Sequence, residues 1–313
     1  MSKPLVLVLR ALGLGDLLTA VPAIRAIARA FPDHRRVLAA PRYLQPIVSL
    51  CGGMDETIDA APLEPLSLNE RPAVAVNLHG RGPQSHRLLL ERAPHRLIAF
   101  ENAQIEQTRG MPQWRADEHE VHRWCRMLQE SGIPADPRDL GLPRPPPDAR
   151  AQGAILIHAG AASESRRWPV ENWIALCATL KSQGQRIVLT GSRSEFRRCR
   201  LIARAAHISI SDVLAGRTGL RELSALVASA QAVICGDTGI AHLAGAFDVP
   251  SVVLFGPTSP KHWGPPVRGV HRIIWHGKLG DPHARYVDPG LASITVSEVL
   301  AELYVLMQMA HAV

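Results

Sequence analysis

The chain has 313 residues, 46% of them hydrophobic, with a formal net charge of +7 and five cysteines. That length is long for one domain and comfortable for two. The scattered, odd-numbered cysteines form no Cys-x-x-Cys pair and exclude a zinc framework. No stretch approaches the roughly 18–20 unbroken apolar residues of a membrane span, and the first residues show no secretory pattern. Arginine supplies 31 of the 35 basic side chains, dispersed and with few aromatics among them. The basic balance therefore suits phosphorylated small molecules rather than nucleic acid. The expectation is a cytoplasmic protein, with peripheral contact at the inner face of the membrane left open.

In chain order, "PLVLVLR" (4–10) reads as a buried strand. Apolar positions Leu17, Val21, Ile24, Ala28 and Phe31 then follow helical spacing. Pro22 lies either in the first turn of that helix or at a kink. "RVLAA", "TIDA", "AVAVNL" and "RLIAF" are further strands, with helices near 41–50, 83–92 and 118–131. The Pro-rich, charged segment 134–152 has little to bury and reads as linker. The alternation then restarts with "AILIH", a helix over 171–183, "RIVLT", a helix over 194–206, "DVLAG", a helix over 220–229, "AVIC", a helix over 239–247 and "SVVLF". A last helix begins near "TVSEVL", with Ser297 as its cap. Strands alternating with helices predict parallel sheets. The organisation is two Rossmann-like α/β domains facing a cleft: 1–142, a Pro-rich linker 143–152, and 153–313.

Ligands of open parallel sheets bind at the carboxyl ends of strands, so the strand-to-helix junctions carry the chemistry. At the first, "RALGLGDLLTAVPAI" (10–24) brings Gly13, Gly15 and Asp16 together. Position 18 is Leu, so a Gly-x-Gly-x-x-Gly dinucleotide fingerprint is absent. Asp16 is either a helix cap or a carboxylate available as general base. In "AVICGDTGIAHLAGAF", Gly236 and Gly239 permit a tight turn, and Asp237 or Thr238 can cap the helix. Its N-terminus suits a phosphate that His242 also faces; a plain capped helix with a core histidine is the competing reading. "HAGAASESRRWPVENW" sets Ser163 and Ser165 beside Arg166 and Arg167, a pattern that suits a diphosphate; a solvated charge pair is the competing reading. Glu195 in "TGSRSEF" caps a helix or binds ribose hydroxyls. Thr258, Ser259 and Lys261 in "FGPTSPKHW" are further phosphate candidates. In "NLHGRGPQSHRLL", His79, Arg81, Gln84 and Ser85 line an acceptor pocket or belong to a plain loop and capped helix.

Together "LGLGDLLTAVPAI", "HAGAASESRRWP", "TGSRSE", "GDTGIAHLAGAF" and "FGPTSP" resemble, in order and spacing, glycosyltransferase family 9, the ADP-heptose:lipopolysaccharide heptosyltransferase family. The resemblance implies a GT-B fold, with the C-terminal helix returning toward the N-terminal domain. It also implies inverting transfer without a metal or other cofactor. The donor, a nucleotide-diphosphate sugar, is then bound by the C-terminal domain and the acceptor by the N-terminal one. Asp16 matches the family's catalytic base. Asp237, Thr238, Gly239 and His242 match its donor-phosphate loop, and Glu195 its ribose-binding glutamate. Arg166 stands where the family has Lys, which replaces a point charge with a planar fork.

The expected function is transfer of a sugar, heptose by resemblance, to a hydroxyl of a glycan, lipid-linked or small-molecule acceptor. Ser163, Arg166, Glu195, Asp237, Thr238, Gly239, His242 and Lys261 would bind the donor. Gly15, His79, Arg81 and Gln84 would bind the acceptor. The alternatives are a nucleotide-sugar epimerase, which needs an acid/base pair that is not evident, and a catalytically silent sugar-nucleotide binder.

Overall fold

Five consecutive aliphatic residues, Leu5–Leu9, form β1, and all five are buried. A near-continuous apolar run is what a central parallel strand requires, because helices cover both of its faces. In the computed structural model, which describes residues 3–266 and 270–311, the chain divides into two units, Met1–Leu142 and Pro143–Val313.

The first unit runs β1, α1 (Leu14–Thr19), α2 (Val21–Ala30), β2 (Arg35–Ala40), α3 (Gln45–Cys51), β3 (Glu56–Asp59), β4 (Val74–Asn77), α4 (Gln84–Leu90), β5 (Arg96–Ile98) and α5 (Glu120–Glu130). Its five parallel strands lie in the order β3-β2-β1-β4-β5. The chain leaves β1 toward one edge and returns to β4 on the other side. The β1/β4 boundary is therefore a topological switch point, where the carboxyl ends open a crevice. The helix expected from Leu17 is interrupted at Ala20, and Pro22 falls in the first turn of α2. There its missing N–H removes no helix bond.

The second unit runs β6 (Ala154–His158), α6 (Val170–Ser182), β7 (Arg186–Thr190), α7 (Phe196–Ala205), α8 (Leu220–Ser229), β8 (Ala232–Gly236), α9 (Gly239–Ala246), β9 (Ser251–Leu254), α10 (Pro260–Trp263), β10 (His271–Ile274), α11 (Pro289–Ser293) and α12 (Val296–His311). Its parallel order is β10-β9-β8-β6-β7, with the switch point between β6 and β8. Trp168 and Trp173 pack edge to face at 5.0 Å in its core. The Trp168 indole N–H donates to the Ile294 carbonyl at 2.9 Å. α12 buries Val299, Leu303 and Leu306 in the same core and packs on α6, β9 and β10.

Three local expectations are corrected. "DVLAG" is not a strand. Leu214 and Gly216 donate to Leu189 and Gly191 beside β7, and Gly216 then turns away with φ of 70°. β10, whose apolar run is broken by His271 and Arg272, is a strand beyond those expected and pairs with β9 at the sheet edge. The cap of α12 is Thr295, not Ser297. The Thr295 hydroxyl accepts from the Glu298 N–H at 3.3 Å while the Glu298 carboxylate accepts from the Thr295 N–H at 2.8 Å, a reciprocal capping box.

Candidate functional site

In the first unit, the residues after β1 and β4 meet at the switch point. Gly13 is the N-cap of α1 and Asp16 its third helical residue. The Asp16 carboxylate reaches back to accept the Gly13 N–H at 3.2 Å, so it does act as a helix-end partner. Its side chain nevertheless keeps 31% of its surface exposed, and the second oxygen is directed elsewhere, 3.7 Å from the Arg10 guanidinium.

Arg10 is the functional neighbour that sequence reasoning missed. Its side chain is completely buried. Nε donates to the Asp16 carbonyl at 2.9 Å, and Nη2 to Thr19 Oγ1 at 3.3 Å and Glu120 Oε1 at 3.2 Å. Nη1 donates to the Leu78 carbonyl. The guanidinium also lies 4.8 Å from the Trp124 ring centroid, within cation–π range. Glu120, buried in turn, accepts from Arg123 and, at 2.9 Å, from the Trp124 indole. A buried arginine is tolerated because its charge is paired and nearly every donor is used. The network ties the end of β1, the start of α1 and the end of β4 into one frame.

His79 follows β4, its backbone N–H held by Asn77 Oδ1 at 2.9 Å. Burial, with the Arg10 charge adding to it and Asp16 opposing, pushes its imidazole down to about 4. It is thus neutral at pH 7, and its buried Nδ1 has no hydrogen-bond partner among the described residues. Gly15 is half-buried within α1, while Arg81 and Gln84 are exposed. Ser85 is buried and bonded to Asn77 Nδ2 at 2.9 Å.

In the second unit, the junctions after β6, β7 and β8 converge. α9 begins at Gly239 with Thr238 as N-cap residue, but no side chain caps it. Instead the Asp237 carboxylate accepts a hydrogen bond from the Thr258 hydroxyl. Asp237 is buried, so it braces the turn against the loop after β9. The uncapped first turn of α9 leaves N–H groups and the positive end of the helix dipole available to an anion. The Arg166 guanidinium reaches the Asp237 carbonyl at 3.5 Å, and its Nε is buried without a partner among the described residues. His242 is half-buried one turn into α9, its ring 6.1 Å from that of Trp263. Ser163 is half-buried ahead of Arg166, and Lys261 is exposed at the start of α10.

Glu195 is placed by a reciprocal cap: its carboxylate accepts from the Ser192 N–H at 2.6 Å. It lies directly over Gly160, where any Cβ would overlap the carboxylate, so the glycine after β6 is what admits it. His158, at the end of β6, faces it and bonds Thr190 Oγ1 at 3.1 Å. Burial lowers the His158 pKa against the pull of Glu195. For Glu195, burial acts to raise the pKa, but the Ser192 N–H and the nearby charges outweigh it and the net shift is downward. Of the groups that hold the carboxylate ionised, the Ser192 N–H contributes most. Beside it is a cavity of about 580 Å³ lined by Arg193, Phe196, Arg197 and Arg217, within the size range of small-molecule sites. Among the described residues, no group of three or more His, Cys, Asp or Glu side chains is placed to hold a metal ion, and no helix is long and apolar enough to cross a membrane.

The model of the family described as glycosyltransferase family 9 (heptosyltransferase) matches residues 95–288, more than half of the chain. The chain is 31% identical over 151 residues to lipopolysaccharide heptosyltransferase 2 of Salmonella typhimurium, an alignment spanning 46% of this chain and 43% of that relative. Among solved structures it resembles a family 9 glycosyl transferase from Veillonella parvula, with TM-score 0.75 and 17% identity over 98% of both chains. It also resembles the ADP-heptose lipopolysaccharide heptosyltransferase II of Escherichia coli, with TM-score 0.74 and 22% identity over 99% of this chain and 100% of that one. These structural likenesses show the fold, that of the GT-B heptosyltransferases.

Proposed function

The chain belongs to glycosyltransferase family 9, and from that premise we propose that it is an inverting, metal-independent glycosyltransferase that moves heptose from ADP-heptose to a hydroxyl of a saccharide acceptor. The observation that carries the reading is the anion site of the second unit, where Arg166 and the uncapped start of α9 meet at the turn braced by Asp237. In this reading the cavity lined by Arg193, Phe196, Arg197 and Arg217 takes the nucleoside.

In this reading the α9 amides, Arg166 and Lys261 hold the diphosphate, with Ser163, Thr238, Gly239 and His242 around it. The ionised Glu195 accepts hydrogen bonds from the ribose hydroxyls. Asp16 takes the proton of the acceptor hydroxyl as that oxygen bonds to the anomeric carbon, and the bond from that carbon to the diphosphate oxygen breaks. ADP leaves with its new negative charge stabilised by preorganised donors. One displacement inverts the anomeric centre and needs one base, which is why a single carboxylate suffices. In this reading Gly15, next to Asp16 in α1, and His79, Arg81 and Gln84, which follow β4, are the acceptor contacts. The site requires no cofactor beyond the sugar nucleotide.

A thermal-shift panel of ADP, GDP, UDP and dTDP tests the donor assignment. A ligand at 100 times its Kd stabilises the folded state by about 2.7 kcal/mol, so ADP should raise the melting temperature and the other nucleotides less. A panel in which no nucleoside diphosphate shifts the transition, or in which UDP alone does, contradicts it.

A further inference from the structure

The segment between β10 and α11, residues 275–288, carries no buried side chain, so it adds little to the core. Its contacts are instead with the loops that form the anion site. The Trp275 indole N–H donates to the Gly256 carbonyl at 3.0 Å. The Gly280 N–H donates to the Pro257 carbonyl at 2.9 Å, one residue before the Thr258 that bonds Asp237. Ser165, directly before Arg166, is held at both of its backbone groups. Its N–H donates to the Ala284 carbonyl at 3.3 Å, and its carbonyl accepts from the Asp288 N–H at 3.2 Å. We propose that this segment is a strap that positions the Arg166 guanidinium for the leaving diphosphate, with Asp288 and Gly277 as its positioning residues. The proposal rests on the glycosyltransferase reading and adds residues that act on the donor through Arg166.

Three features support it. First, the Arg166 side chain does not fix its own direction. Its guanidinium makes one long hydrogen bond, 3.5 Å to the Asp237 carbonyl, and its buried Nε has no partner among the described residues. Where it points therefore follows from its backbone, which the strap holds at Ser165. Ser165 is itself buried, and hydrogen bonds shielded from water are the stronger for it. Second, the layers are stacked too closely for side chains. A Cβ on Gly277 would lie 2.8 Å from the Gly256 carbonyl oxygen. One on Gly256 would lie 3.2 Å from the Ser165 carbonyl oxygen, and one on Gly236 3.3 Å from that of Arg166. Close-packed layers transmit displacement, so a shift of the strap passes through the loop after β9 to the turn that carries Arg166. Third, the strap is anchored at both ends. The Asp288 carboxylate accepts the Leu291 N–H at 2.9 Å and so caps α11, whose Leu291 is in the core. His276 bonds Ser293 Oγ at 3.1 Å and lies 2.7 Å from the Glu298 carboxylate at the start of α12.

The test is ADP affinity by calorimetry, with melting temperature as the control for folding, on the full chain and its variants. Asp288→Ala removes the cap that sets the Asp288 N–H, and Gly277→Ala forces the strap away from Gly256. Each should weaken ADP binding about tenfold, since misplacing a positioned group is costly even when the group remains. Asp288→Asn keeps an oxygen that can cap α11 and should restore the affinity. Arg166→Met should weaken binding as well, and adding either strap change to it should cost nothing more, because the strap acts through Arg166. Neither Asp288 nor Gly277 is buried, and if one strap variant fails to fold, the cycle with the other decides. Unchanged affinity in a folded strap variant, no rescue by Asp288→Asn, or losses that add to that of Arg166→Met overturns the proposal. If Arg166→Met weakens ADP binding while the strap variants fail these criteria, only the strap falls. If Arg166→Met leaves the affinity unchanged, or ADP does not bind the unmodified protein, the donor assignment itself falls.

Discussion

Replacing Arg10 by Met should loosen the first unit from the inside. The substitution keeps much of the volume but removes the partner of a carboxylate whose side chain is only 7% exposed. Breaking a buried ion pair costs about 3–5 kcal/mol. Glu120 keeps Arg123 and the Trp124 indole, which argues for the lower end, about 3 kcal/mol. The Leu78 and Asp16 carbonyls lose their donor as well, about 1 kcal/mol each. The expected loss is thus on the order of 4–5 kcal/mol, a large share of the roughly 5–15 kcal/mol that holds a domain together. Adding Glu120→Gln to Arg10→Met removes the stranded charge, so the double variant should be about 1–3 kcal/mol better than the sum of the single ones. Native-state hydrogen exchange at β1 and α5 amides reads this unit separately from the second. Additivity within about 0.5 kcal/mol, or a cost of Arg10→Met below about 1 kcal/mol, would refute the claim that the pair frames the site.

Glu195→Gln should weaken ADP binding about tenfold in calorimetry, because an ionised acceptor for the ribose hydroxyls becomes a neutral one; unchanged affinity removes Glu195 from that role. Turnover should survive excess EDTA, and strict dependence on added magnesium or manganese would contradict charge stabilisation by Arg166 and the α9 amides. His79 has a folded pKa of about 4, below the ordinary histidine value of 6.5, so between those limits the unfolded chain binds a proton that the folded chain does not. Stability should therefore fall as pH drops through that window and be insensitive to this group above it. His79→Gln should flatten the fall, and an imidazole that titrates near 6.5 by NMR contradicts the burial argument. The lowered His86 and His158 pKa values act with the same sign.

The alternating apolar runs were enough to read two parallel α/β sheets, because central strands such as β1 and β8 are buried on both faces and cannot hide their composition. Edges were harder. "DVLAG" looks like a strand but forms only a single bridge to β7, whereas β10 carries His271 and Arg272 and looks like loop. The junction carrying Asp16 was legible because a carboxylate directly after two glycines, just beyond a buried run, is a local signal. Arg10 was not. It reads as an ordinary charge closing a strand, and what makes it a bracket are partners 68 and 110 residues away in sequence.

The central claim is that Asp16 is a base and not only a helix-end partner, and Asp16→Asn isolates it. Asn retains an oxygen that can accept the Gly13 N–H, so the fold should survive, but it cannot take the acceptor proton. Single-turnover transfer from ADP-heptose, followed together with ADP affinity and melting temperature, is the deciding measurement. The account predicts a fall in rate of about 10²–10⁴-fold, the usual worth of a positioned general base, with ADP affinity and melting temperature close to those of the unmodified protein. A folded Asp16→Asn protein that binds ADP and transfers sugar at near the original rate would contradict it.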